Sequence, residues 1–179
     1  MTRATGFYLA AGRALSRSFF SAPWVRAVYA RRSVAAGEAE FPWSDLDLAI
    51  VLREADGEKL EQLRRRYRAA RAAFPRLGEC IVYRAEEMAE AAAADPYRAS
   101  LDRRLGRLLW GEEIVFPEAP IPPWEAARRV VFWLESFLPR AVREGNRRNL
   151  RKFALEMANA LGVLEGRCGE PLPPRRDTE

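Results

Sequence analysis

Apolar positions in this chain recur with two different periods. Between residues 5 and 20, Phe7, Ala11, Leu15 and Phe19 fall four apart with Arg13 and Arg17 turned elsewhere, the spacing of a helix that covers a sheet. Pro23 ends that pattern. Residues 24–29 predict a short strand running into the polar turn Arg31, Arg32, Ser33, and a loop with Gly37, Glu38, Glu40 and Pro42 leads to the apolar run 46–52. Asp56 and Gly57 close that run and start a helix through Leu60, Leu63 and Tyr67 to about Phe74. Residues 78–83 read as a third strand, with Glu79, Ile81 and Tyr83 on one face. Residues 85–94 have strong helix propensity, Asp95 caps another helix to about Leu105, and residues 107–110 resemble a short edge strand ended by Gly111.

Pro117, Pro120, Pro122 and Pro123 cannot sit inside a regular element, because each fixes φ and most remove a needed donor, so a domain junction is expected there. Beyond it, Ala127, Val130, Val131, Leu134, Phe137 and Leu138 mark a helix over 124–143. Gly145 stops it, and Asn146 or Asn149 caps a second helix carrying Leu150, Phe153, Met157, Leu161 and Leu164. The expected organisation is a sheet-and-helix domain over 1–116, a helical hairpin over 117–166 and a Pro- and Arg-rich tail over 167–179. No internal repeat is visible.

The polar entrance of the second strand stands out. Asp45 and Asp47 share one face of an extended chain, with Cα atoms roughly 7 Å apart. Two carboxylates held so close repel unless solvent, a proton or a cation relieves them, and they are the oxygen ligands that a Mg²⁺ carrying substrate phosphates takes.

Composition narrows the chemistry further. With no histidine in 179 residues, Ser-His and Cys-His nucleophile systems and His-ligated zinc are excluded. Cys80, in a strand, and Cys168, in the tail, make neither a disulfide framework nor a metal cluster. No apolar run approaches membrane-spanning length and the N-terminal segment lacks the pattern of a secretory signal, so a cytoplasmic location is expected. The net charge of +5 suits an anionic ligand. Nucleic acid is not the expected one, because no recognition motif accompanies the charge, and Arg64, Arg65, Arg66 and Arg68 coat the outer face of their helix. Arg147, Arg148, Arg151 and Lys152 open the last helix, where positive charge opposes the helix dipole. That leaves room for an anion near Lys152 or for a solvated face.

Ser33, Gly37 four residues beyond it, and then Ser44, Asp45 and Asp47 opening an apolar strand follow an order that resembles the polymerase-β-like nucleotidyltransferase superfamily and its small bacterial members. Glu79 and residues 108–112 extend the resemblance over about residues 24–113. It implies an α+β fold, a small mixed sheet flanked by helices with a C-terminal helical pair. It also implies that Asp45 and Asp47, with Glu79 as third acid, hold two Mg²⁺ ions and a nucleoside triphosphate such as ATP. Glu79 would bind the second ion or act as general base. Ser33 would contact the triphosphate and Ser44 orient the acidic turn. Arg32 departs from the pattern: family members carry Gly there, and its guanidinium either obstructs the nucleotide or contacts a phosphate.

Two functions follow. One is transfer of a nucleoside monophosphate to a hydroxyl of a small molecule or a protein, with pyrophosphate leaving. The other is a catalytically weak protein of the same fold, serving as a nucleotide sensor or an antitoxin-like protein-binding module. Because the chain stops soon after its last helix, a partner or a second copy is expected to complete the cleft.

Overall fold

The strand β2, Leu46–Leu52, is buried at every position except half-buried Asp47. So apolar a run is stable only in the middle of a sheet covered on both faces. In the computed structural model, which describes residues 2–117 and 119–165, β2 lies inside a four-stranded mixed sheet of order β3-β2-β1-β4. Its neighbours are β1, Val25–Ala30, antiparallel, and β3, Leu77–Arg84, parallel. Antiparallel to β1 on the far side is the edge strand β4, Arg107–Gly111. The architecture is α+β, as expected.

The two faces of the sheet bury different elements. Leu46, Leu48, Ile50 and Leu52 pack with Tyr8, Leu9 and Leu15 of helix α1, Arg3–Leu15, and with Leu63 and Ala70 of α3, Gly57–Ala73. On the opposite face, Ala49 and Val51 join Ala27, Tyr29, Met88 and Phe116. Met88 begins α4, Met88–Ala94, which is followed by α5, Pro96–Leu105, with Asp95 as its N-cap accepting from the Arg98 N–H. The crossover helix α3 is capped in the same way by Asp56, whose carboxylate accepts from the Lys59 N–H at 2.8 Å. Leu60, at its start, stays exposed.

The buried face of α1 is rotated from the expected one. Phe7 is exposed, and Thr5, Tyr8, Gly12 and Leu15 face inward. Gly12 explains the choice: a Cβ there would come within 2.9 Å of Leu109, so a residue without one lets the helix lie close against the sheet. The helix ends in a π-helical turn, Ser16–Phe20, where the Ser16 hydroxyl bonds back to the Gly12 carbonyl.

The chain divides into two compact units, Met1–Ala119 and Pro120–Glu179. In the second, the helix expected over 124–143 is three consecutive segments: α6, Pro123–Phe132, a π-helical stretch Trp133–Phe137, and α7, Leu138–Arg143. Pro139 accounts for the widened stretch, because its ring lacks an N–H and crowds the carbonyl four residues earlier. Helix α8, Arg147–Leu164, packs along α6 and α7 and is capped by Asn146 through the Asn149 N–H. The tail 167–179, with Cys168, lies outside the described residues. Among the described residues, no helix is long and apolar enough to cross a membrane.

Gly111 closes β4 at φ +93°, and a Cβ there would strike the Arg26 carbonyl oxygen and lie 2.9 Å from the Ala27 Cα. Gly111→Ala is therefore expected to destabilise the first unit by more than about 1 kcal/mol, measured as a lower urea midpoint.

Candidate functional site

The residues between β1 and β2 form a five-residue helix α2, Arg32–Ala36, and a loop. Gly37, at φ +85°, ends α2 and allows the reversal. The loop is tied down from α1: the Thr2 hydroxyl donates to the Ala39 carbonyl, the Ala39 N–H donates to the Thr5 hydroxyl, and the Tyr8 hydroxyl donates to the Ser44 carbonyl at 2.5 Å. Ser44 is buried, accepts the Glu40 N–H at 2.9 Å, and lies 3.5 Å, oxygen to oxygen, from Ser33. The two serines singled out by sequence thus meet at the entrance of β2.

Asp47 and Glu79 meet as well. Leu46 pairs with Leu77 and Leu48 with Cys80, so β3 has one extra residue and Gly78 and Glu79 both stand opposite Asp47. The Asp47 Oδ1 accepts the Glu79 N–H at 2.8 Å. A Cβ on Gly78 would collide with that same oxygen, so the absence of a side chain there makes room for the acid. The Tyr67 hydroxyl bonds to the Gly78 carbonyl and holds the bulge from α3.

Arg32 lies on both acids. Its Nη2 donates to Glu79 Oε2 at 3.0 Å and its Nε lies 3.8 Å from Asp47 Oδ2. Arg32 adopts φ +53°, a left-handed conformation that costs a non-glycine residue roughly 1–2 kcal/mol. Glycine adopts it freely. Arg31, beside it, is only 3 % exposed. Its Nε donates to Asp102 Oδ1 at 2.6 Å, the Tyr83 hydroxyl donates to Asp102 Oδ2 at 2.8 Å, and its Nη1 lies 3.5 Å from Glu79 Oε2. Asp45, just before β2, is half exposed with Arg76 at 3.7 Å, and a Cβ on Gly78 would lie 3.0 Å from the Asp45 Cβ.

Burial shapes the titration of these groups. Desolvation raises the Asp47 carboxyl above the usual 3.8, against the opposing charge of Arg32 and the Glu79 N–H. For Arg31, burial lowers the pKa, but the charge and hydrogen bond of Asp102 outweigh it and the net direction is up. Burial, then the Asp102 charge, pushes the Tyr83 hydroxyl up. Cys80 is pushed up to about 12 by burial, which leaves it an inert thiol.

No protein-family model and no curated protein matches the chain. Solved structures similar to it include a toxin-antitoxin crystallised with AMP-PNP, at 14% identity and TM-score 0.39, covering 77% of this chain and 96% of that one. A mutant of the toxin-antitoxin MntA-HpeT is similar at 13% identity and TM-score 0.37, covering 74% of this chain and 92% of that one.

Asp45, Asp47 and Glu79, the residues expected to hold two Mg²⁺ ions, each have an arginine within 4 Å in this structure. Two-metal sites hold their ions roughly 3.5–4 Å apart. Here Asp45 is engaged by Arg76, and the guanidinium of Arg32 stands where a cation between Asp47 and Glu79 would be. Among the described residues, no group of three or more acidic or cysteine side chains is set to hold a metal. Lys152 belongs to the second unit, where its Nζ lies 5.9 Å from the Trp133 ring centroid.

Sequence reasoning did not find Arg31, Asp102, Tyr83 or Gly78. Arg31 and Asp102 lie 71 positions apart, and each looks like one more charge in a charge-rich chain. The Asp102→Asn substitution leaves a buried guanidinium without its counter-charge and is expected to cost about 3–5 kcal/mol in chemical denaturation. For Asp47 the folded pKa is the higher one, so its protonated form favours folding. That contribution is present at low pH and is lost as pH rises from 3.8 through the folded value. Stability of the parent should accordingly fall relative to Asp47→Asn as pH climbs past 3.8, and carboxyl NMR should show the Asp47 midpoint higher still in Arg32→Gly.

Proposed function

We propose that this chain is a nucleotidyltransferase-fold protein that binds a nucleotide at the residues around the start of β2 without carrying out metal-dependent nucleotidyl transfer. It serves as a nucleotide sensor or as a nucleotide-responsive, antitoxin-like protein-binding module. The observation that carries this reading is the Arg32 guanidinium seated on both Asp47 and Glu79. A guanidinium between two carboxylates meets their need for charge, and a divalent ion would have to displace it against like-charge repulsion. The order Ser33, Gly37, Ser44, Asp45, Asp47 and the mixed sheet support the fold half of the reading. The basic balance of the chain supports an anionic ligand.

A second reading keeps the reaction, with a nucleoside monophosphate passing from a triphosphate to a hydroxyl of a small molecule or protein. It is favoured by the direct Asp47 to Glu79 contact across adjacent strands and by the 41 % exposure of the Arg32 side chain, which is free to turn toward solvent.

Calorimetric titration with ATP, CTP, GTP and UTP, with and without Mg²⁺, separates the two. The first reading expects at least one nucleotide to bind with an affinity that Mg²⁺ changes less than about threefold and that Asp47→Ala does not abolish. Binding that strengthens tenfold or more with Mg²⁺ and vanishes in Asp47→Ala would move the assignment to the enzyme.

A further inference from the structure

Two guanidinium groups from consecutive residues aim at one carboxylate oxygen, Glu79 Oε2, at 3.0 Å from Arg32 and 3.5 Å from Arg31. The two are held very differently. Arg32 is a half-exposed arm, whereas Arg31 is buried and locked through its Nε to Asp102, which Tyr83 fixes from the other side. Arg31 keeps its orientation without Glu79. Its Nη1 is closed off from solvent and makes no hydrogen bond among the described residues, the 3.5 Å approach to Glu79 being an ion pair only. A buried guanidinium N–H facing an anion that does not reach it marks a position shaped for a larger acceptor.

We propose that Arg31 and Arg32 form a metal-independent site for a phosphoryl group, in which the Glu79 carboxylate is the resident anion that the ligand displaces. A carboxylate offers two oxygens in one plane, and a terminal phosphoryl offers three in a tetrahedron, so it can reach the Arg31 Nη1 and the Arg32 guanidinium at once. Glu79 can leave, since its side chain is 42 % exposed and sits at the sheet edge. Charge does not forbid the exchange. Arg31 is balanced by Asp102 and Arg32 by Asp47, so Glu79 is the surplus negative group and a phosphoryl takes the place of an anion already present. The site extends the nucleotide reading above and rests on it only for what the phosphoryl is attached to.

The test is calorimetry in EDTA with inorganic pyrophosphate and with ATP. The proteins are the parent chain, Glu79→Gln, and the double variant Arg31→Met with Asp102→Asn, which removes both buried charges so that neither is left alone. Circular dichroism and urea unfolding establish that each is folded. Pyrophosphate is expected to bind the parent weakly, Glu79→Gln about tenfold more tightly, and the double variant not at all. A Glu79→Gln variant that binds no better than the parent overturns the proposal even if the double variant fails to fold, and so does a folded double variant that keeps full affinity. ATP binding that ignores Arg31 and Glu79 removes the phosphoryl site and leaves the nucleotide reading standing. Pyrophosphate and ATP binding equally well, with the expected dependence on both residues, retains the site and removes recognition of the nucleoside. No binding of either probe to any of the proteins overturns both.

Discussion

A carboxylate placed where water scarcely reaches must find positive charge or hold its proton, and the position of Asp47 imposes that constraint on this fold. It occupies the one half-buried step of an otherwise closed central strand, so β2 cannot extend to its end without an acid entering the protein. The surroundings answer with a backbone N–H from Glu79 and the guanidinium of Arg32. The bulge in β3 and the missing side chain at Gly78 make space for the first of these. The left-handed backbone of Arg32 belongs with the second, since the chain holds an unfavourable conformation at the residue whose side chain neutralises the acid.

Beneath that surface arrangement lies a second charge pair of another character. Arg31 and Asp102 are each 3 % exposed and meet at 2.6 Å, whereas the Arg32 contacts are partly solvated. Exposed pairs of the Arg32 kind contribute about 0–1 kcal/mol and rearrange easily. A buried pair adds little net stability over an apolar substitute but is costly to break from one side, so it acts as a rigid fixture. The site thus combines one immobile guanidinium with one movable one, and Glu79 spans the two.

Much of the first unit could be read from the sequence because its signals are local. The acidic opening and apolar body of β2, the Asp56 and Asp95 caps and the punctuation by Gly111 are properties of short segments, and each corresponds to an observed element. What could not be read depends on register or on distant partners. The stripe Phe7, Ala11, Leu15, Phe19 and the observed face Thr5, Tyr8, Gly12, Leu15 differ by a small rotation that only the close approach of Gly12 to Leu109 decides. An unbroken strand would put Asp45 and Asp47 on one face, yet β2 begins at Leu46, and the bulge opposite sets the Glu79 N–H on Asp47 while Arg76 lies 3.7 Å from Asp45. Arg32 was legible as a departure from a glycine position, but no sequence spacing says toward which acid a long side chain will turn.

The parallel pairing of β2 with β3 also governs how the site is assembled. Asp47 and Glu79 are 32 positions apart with α3 between them, and Arg31 meets Asp102 across 71. Closing such loops costs entropy before any contact rewards it, and non-local pairings of this kind slow folding relative to local ones. As the chain emerges from the ribosome, Arg31 and Asp47 appear well before either of their distant companions, and the site acquires its balance of charge only when α5 docks against the finished sheet.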